Sequence, residues 1–108
     1  MLVIALRIGM DDAAIASIDR GLKISPENAK AHHYLGAICI KQGLREKAIK
    51  EFESVIALDP SFGDAYYNLA YLYATANPKR LDLARDCYLR AQQNGTSADN
   101  AMDSALGS

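Results

Sequence analysis

Long apolar runs are missing from this sequence. Nothing in its 108 residues approaches the ~18 consecutive apolar residues that a spanning helix needs. The apolar opening Met1–Leu6 is closed by Arg7 and Gly9, too early for a secretory leader. Cysteine is scarce as well. Cys39 and Cys87 lie far apart, with no CxxC and no dense spacing, which excludes a disulfide framework. They read as free thiols of a reducing, cytoplasmic compartment, acting as small buried hydrophobes. There is no excess of one charge. Twelve basic and 13 acidic residues leave a net charge of −1, without the basic footprint of a nucleic-acid binder. Neither nucleic acid nor membrane is expected as a partner.

The motifs of catalysis are absent too. There is no GxGxxG, no GxxxxGK[ST], no HExxH and no nucleophile elbow. The two histidines, His32 and His33, are adjacent and so point to different sides of one helix. Cys39 stands two helical turns beyond His32, too far to share a metal without a ligand from another helix. No enzymatic activity, metal or cofactor is expected.

What is present is ordinary globular composition, 50% hydrophobic and 23% charged, in a length suited to one domain. The chain also echoes itself at a shift of 34 residues. Gly9 falls on Gly43 and Gly43 on Asn77; Ala14-Ile15 falls on Ala48-Ile49; Pro26 falls on Pro60; Leu35 falls on Leu69. Glycine and asparagine tolerate the left-handed conformation in which helices end, so Gly9, Gly43 and Asn77 are expected to close helices. Ala14, Ala48 and, two residues late, Ala84 let helix backbones approach closely. Pro26 and Pro60 stop one helix and open the next unit. Between these marks the apolar residues recur at i, i+3, i+4 and i+7, as in Leu35, Ile38 and Cys39, or Ala48, Phe52, Val55 and Ile56. Asn77-Pro78 reads as an N-cap followed by proline at the first helical position. No strands are expected.

The period and its markers resemble the tetratricopeptide repeat, whose pattern runs W-x2-L-G-x2-Y, then A-x3-F, then P. The middle unit reads His32-x2-Leu35-Gly36-x2-Cys39, Ala48-x3-Phe52, Pro60; the next reads Tyr66-x2-Leu69-Ala70-x2-Tyr73, Ala84-x3-Tyr88. Histidine and tyrosine replace the tryptophan, so His32 is expected to fill a core slot. The third unit has two extra residues near 77–80 and ends at Gly95 rather than at proline. The expected fold is therefore all-α: an α-solenoid of antiparallel helix pairs, about two and a half repeats, with a C-terminal capping helix. Its units are a partial first repeat over 1–28, a second over 29–62, a third over 63–95, and the cap over 97–106. Ser97 is the expected N-cap of that last helix, with Ala98, Met102, Ala105 and Leu106 on its apolar side.

The resemblance implies a non-catalytic module for protein–protein interaction, with the first helix of each repeat lining a concave surface. The positions it assigns there are Lys30, His33, Tyr34, Ala37, Ile40 and Lys41 in one helix. In the next they are Asp64, Tyr67, Asn68, Tyr71, Ala74 and Thr75. Exposed tyrosine supplies large contact area with a polar tip, and an asparagine amide gives and takes hydrogen bonds with a peptide backbone. The best-known ligand mode of the family clamps a carboxylate with lysine and asparagine. His33 and Ala37 occupy those slots here, so that clamp is not expected. Tyr66, Tyr73 and Tyr88 match core positions. Lys41, Arg45, Lys47 and Lys50 form a basic run, read as a solvated helix face.

At the other end, Leu2, Val3 and Leu6 form an apolar start with no polar cap, and stacked repeats bury their faces only against neighbours. The chain is expected either to continue a longer array or to pair through this end as a homo-oligomer. If Leu2, Val3 and Leu6 drive self-association, light scattering detects a dimer or larger species that Leu6→Glu dissociates. A monomer unchanged by that substitution removes the idea.

Overall fold

The computed structural model describes residues 2–76, 78–97 and 100–106; of these, the side chains of residues 2–11, 100, 101 and 105 are outside the description. The calls on Asn77 and Ala98 therefore fall outside the described residues, as do those on the side chains of Leu2, Val3, Leu6 and Ala105. Six helices follow in order: α1 (Leu2–Ile24), α2 (Ala29–Lys41), α3 (Arg45–Leu58), α4 (Gly63–Ala74), α5 (Leu81–Gln93) and α6 (Asn100–Ala105). No strand occurs among the described residues. The all-α solenoid of paired helices expected from the echo is what the chain forms.

The boundaries have local causes. Asn28 caps α2, its side chain accepting the Ala31 N–H at 3.2 Å. Gly43 turns the chain at φ 76°, and the next amide, Leu44, donates back to the Cys39 carbonyl at 2.9 Å. Such a short connection sets α2 and α3 side by side and antiparallel. Helices α1 and α3 stop two residues before Pro26 and Pro60, because the residue before proline is driven out of the helical region.

Two expectations at boundaries do not hold. Gly9 lies inside α1, which runs unbroken to Ile24. Glycine within a helix costs only about 0.5–1 kcal/mol, while each further residue adds a backbone hydrogen bond. Glycine thus ends a helix where packing rewards the turn, as α2 against α3 does at Gly43. Helix α5 begins at Leu81 rather than Pro78. The Arg80 N–H donates to the Tyr73 carbonyl at 3.0 Å and its guanidinium lies 5.4 Å over the Tyr73 ring, which holds Arg80 in the connection ahead of the helix.

The core is built by small residues facing large ones. Phe52 is fully buried, and a Cβ placed on Gly36 would stand 2.8 Å from its ring. One period later Ala70 and Tyr88 occupy the corresponding places, both buried. Around them pack Leu35, Cys39, Ala48, Val55, Leu69, Leu72 and Ala84. Ile15, Ile18 and Leu22 bring α1 against this cluster. Gly63 opens α4 against the end of α5, where an added Cβ would meet the Asn94 carbonyl oxygen at 2.7 Å and the Thr96 hydroxyl at 2.8 Å. Met102 of α6 and Leu106 just beyond it are buried in the core cluster. Arg85 secures α6, its Nε and Nη2 donating to the Leu106 carbonyl at 3.0 and 2.8 Å.

Phe52→Ala is expected to destabilise the chain by ~3–5 kcal/mol, since it removes a ring from a closed core. Gly63→Ala is expected to cost about 1–3 kcal/mol by forcing α4 away from the α5 carbonyls. Urea unfolding followed by far-ultraviolet circular dichroism measures both.

Candidate functional site

The first helices of the two complete pairs, α2 and α4, are joined by side chains. His33 of α2 is half-buried. Its ring stands edge-on to Phe52 at 5.5 Å between centroids and leans over Phe62 at 4.9 Å, tilted by 31°. Burial holds its pKa below the ordinary 6.5, against the opposing pull of the Asp64 carboxylate. The imidazole is therefore neutral at neutral pH, and its Nε2 accepts an N–H from Asn68 Nδ2 of α4 at 3.2 Å. A carboxamide has two donor hydrogens and an acceptor oxygen. This bond uses one hydrogen and fixes the direction in which the rest of the amide points.

Beside this pair a cavity of about 210 Å3 opens between α2 and the start of α4, lined by Lys30, His33, Tyr34, Phe62 and Asp64. Its walls are aromatic, and its rim carries one cation and one anion. Tyr34 is 62% exposed and Tyr71, further along α4, is 42% exposed. Four of the residues that the sequence assigns to the inner surface, Lys30, His33, Tyr34 and Asp64, thus meet around one cavity, with Asn68 attached through His33.

The remaining assigned positions are spread along the two helices. Ala37 is half-buried in α2, and Ile40 packs against the core. Lys41 is exposed in the last turn of α2, and Ala74 is buried. Tyr67 is half-buried, packing on the core with its ring 6.4 Å from that of Tyr88. Thr75 sits at the far end of α4 and takes part in its cap. Its hydroxyl donates to the Tyr71 carbonyl at 2.7 Å and accepts from Arg45 Nη2, which also donates to the Leu72 carbonyl at 2.7 Å. Arg45 is therefore a clasp between α3 and the C-terminus of α4, where cations are favoured, rather than part of a solvated face. Lys47 and Lys50 are exposed.

His32 is a second correction. It does not fill a core slot, since its two polar ring nitrogens both find oxygen acceptors at the edge of the core: Glu51 Oε2 and the Pro26 carbonyl, each at 2.8 Å. Tyr66, at the equivalent place one period later, is buried, as are Tyr73 and Tyr88. Phe62 is the cavity residue that sequence reasoning missed. It stands at the N-cap of α4 and makes no side-chain cap hydrogen bond. An aromatic where a short polar side chain is usual was the available signal.

The two cysteines are not activated as nucleophiles. Burial pushes the Cys39 thiol up, and the Cys87 thiol up to about 11, so both stay protonated at neutral pH. Among the described residues no three metal-ligating side chains converge. No helix there is long and apolar enough to cross a membrane.

Known proteins share the helical repeat. Residues 36–76 match a family model described as TPR repeat. The chain is 37% identical over 60 residues to the TPR repeat-containing thioredoxin TTL4 of Arabidopsis thaliana, an alignment covering 56% of this chain and 9% of that protein. It is 33% identical over 99 residues to Tetratricopeptide repeat protein 37 of Xenopus laevis, covering 87% of this chain and 6% of that protein. The chain thus spans less than a tenth of the length of these two curated relatives. The solved structure of MamA superposes with a TM-score of 0.74 at 26% identity, over 82% of this chain and 51% of the other.

Arg45→Ala is expected to lower stability by about 1.5–3 kcal/mol, because it strips charged hydrogen bonds from the end of α4. Comparing its denaturation midpoint with that of an Arg45→Ala, Thr75→Val double variant tests the clasp. The second substitution should add little once the arginine is gone.

Proposed function

We propose that this chain, a tetratricopeptide-repeat protein with a role in protein–protein interaction, holds an extended peptide or protein segment against the face formed by α2 and α4. The observation that carries this reading is the aromatic cavity bounded by Lys30, His33, Tyr34, Phe62 and Asp64, with the Asn68 carboxamide held beside it. An apolar side chain of the ligand enters the cavity between the Tyr34 and Phe62 rings. Its backbone meets the uncommitted part of the Asn68 amide, and Tyr71 extends the contact along α4. Lys30 and Asp64 favour a segment with charges of both signs flanking the anchor. Binding is by shape and hydrogen bonding on a rigid framework, without turnover.

Self-assembly is the second reading. It draws on apolar side chains left in solvent at helix ends, above all Ile24, which is 85% exposed. In that case the inner face receives a helix of another copy, and mass measured by light scattering rises with concentration.

A peptide array screened against the chain supplies a ligand for the test. Asn68→Ala and Tyr34→Ala are each expected to weaken that ligand about tenfold, the loss of a central contact worth ~1.4 kcal/mol, while the melting temperature stays near that of the parent. Leu89→Ala, on the exposed side of α5, leaves affinity unchanged. Tyr67→Ala is a poor probe, because the ring packs on the core and its loss lowers stability. Equal affinity in the parent and the two groove variants would place the binding surface elsewhere.

A further inference from the structure

We propose that His32 is a proton-dependent latch tying the connector between α1 and α2 to helix α3. The argument begins with geometry. Nδ1 of His32 lies 2.8 Å from Glu51 Oε2 on α3, and Nε2 lies 2.8 Å from the Pro26 carbonyl oxygen in the connector. Both partners only accept hydrogen bonds. A neutral imidazole carries one N–H and one lone pair, so it satisfies one of these oxygens and turns a lone pair on the other. The imidazolium alone donates to both. One ring thus bridges three segments: the connector, its own helix α2, and α3.

The surroundings favour the charged ring. The side chains of His32 and Glu51 retain only 16% and 17% of their solvent exposure. Burial works against the charge, but the Glu51 hydrogen bond, the Pro26 carbonyl and the Glu51 charge outweigh it, leaving the pKa above the ordinary 6.5. Glu51 is the charged group that faces the ring from α3. From α1, Asp19 acts on Cys39 rather than on His32, as does Lys47 of α3. The adjacent His33 is displaced the opposite way by its own burial.

The direction of the pH dependence follows. Folding raises the proton affinity of His32, so the latch contributes fully below the unfolded-state value of 6.5 and is lost as pH rises through the higher folded-state value. Loss of the Pro26 bond frees the connector, and with it the seating of α1 on α2. Proton concentration near neutrality would then govern how firmly α1 is held to the helix pairs that follow.

The intact chain tests this directly. Its two histidines give separate nuclear magnetic resonance titrations, and His32 is expected above 6.5 with both ring nitrogens protonated below its midpoint. Glu51→Gln brings that midpoint down toward the ordinary value. Melting temperatures are then followed from about pH 6 to about pH 8.5, across the ordinary histidine range. The parent should lose more stability than His32→Gln, and the two curves should converge at the alkaline end. His32 titrating at or below 6.5 in the parent overturns the latch, and so do parallel melting curves for the parent and His32→Gln.

Discussion

The contact between the Phe52 ring and the bare backbone of Gly36 sets the spacing on which the rest of the chain depends. A side chain at 36 would stand within 3 Å of a ring that is itself fully buried, so α2 and α3 can close only over glycine. That closure brings Leu35 and Cys39 against Ala48 and Val55. It also aligns the far end of α3 so that Asp59-Pro60 leads into α4 at a fixed angle. One period on, Ala70 and Tyr88 solve the same problem with slightly different volumes. A longer side chain on one helix answers a shorter one on its partner, as dense packing requires. The solenoid is this small-against-large pairing repeated.

The proposed binding face grows out of the same contact. Phe52 supports His33 from below, and His33 in turn leans on Phe62 and receives Asn68. Core and surface are therefore consecutive layers of one stack, from a buried phenyl ring through a half-buried neutral imidazole to an amide at the surface. The amide is aimed by a partner whose charge state burial has settled. Such preorganisation lowers the entropy lost when a ligand is ordered on the surface.

The parts of this structure that were legible in the sequence are those with short-range causes. Gly43, Pro26 and Pro60 act within a turn of where they stand, and the apolar stripes report helix faces directly. Tyr66, Tyr73 and Tyr88 follow from the resemblance to the repeat pattern. What was illegible depends on partners far along the chain. His32 meets Glu51 across 19 residues, Arg45 meets Leu72 across 27, and His33 meets Asn68 across 35. No local pattern marks Arg45 as a clasp rather than one more cation on a polar face. Gly9 fails for the converse reason. It has the local appearance of Gly43, but a glycine only permits a turn, and packing on both sides has to favour it.

The adjacent histidines show most plainly how little residue type decides by itself. A step of one residue along a helix rotates the side chain by ~100°, since a turn holds about 3.6 residues. That rotation carries His32 toward two oxygen acceptors and His33 toward two aromatic rings and an amide donor. The first environment rewards the extra proton, and the second rejects it. The two rings therefore hold opposite charge states over a common range of pH, and each state is the one its neighbours need. His32 must be charged to join the connector to α3, while His33 must be neutral to accept from Asn68. Exchanging their environments would leave acceptors facing a lone pair on one side and donors facing a proton on the other. The arrangement at the edge of the core and the arrangement at the inner face are thus fixed together, by the pitch of a single helix.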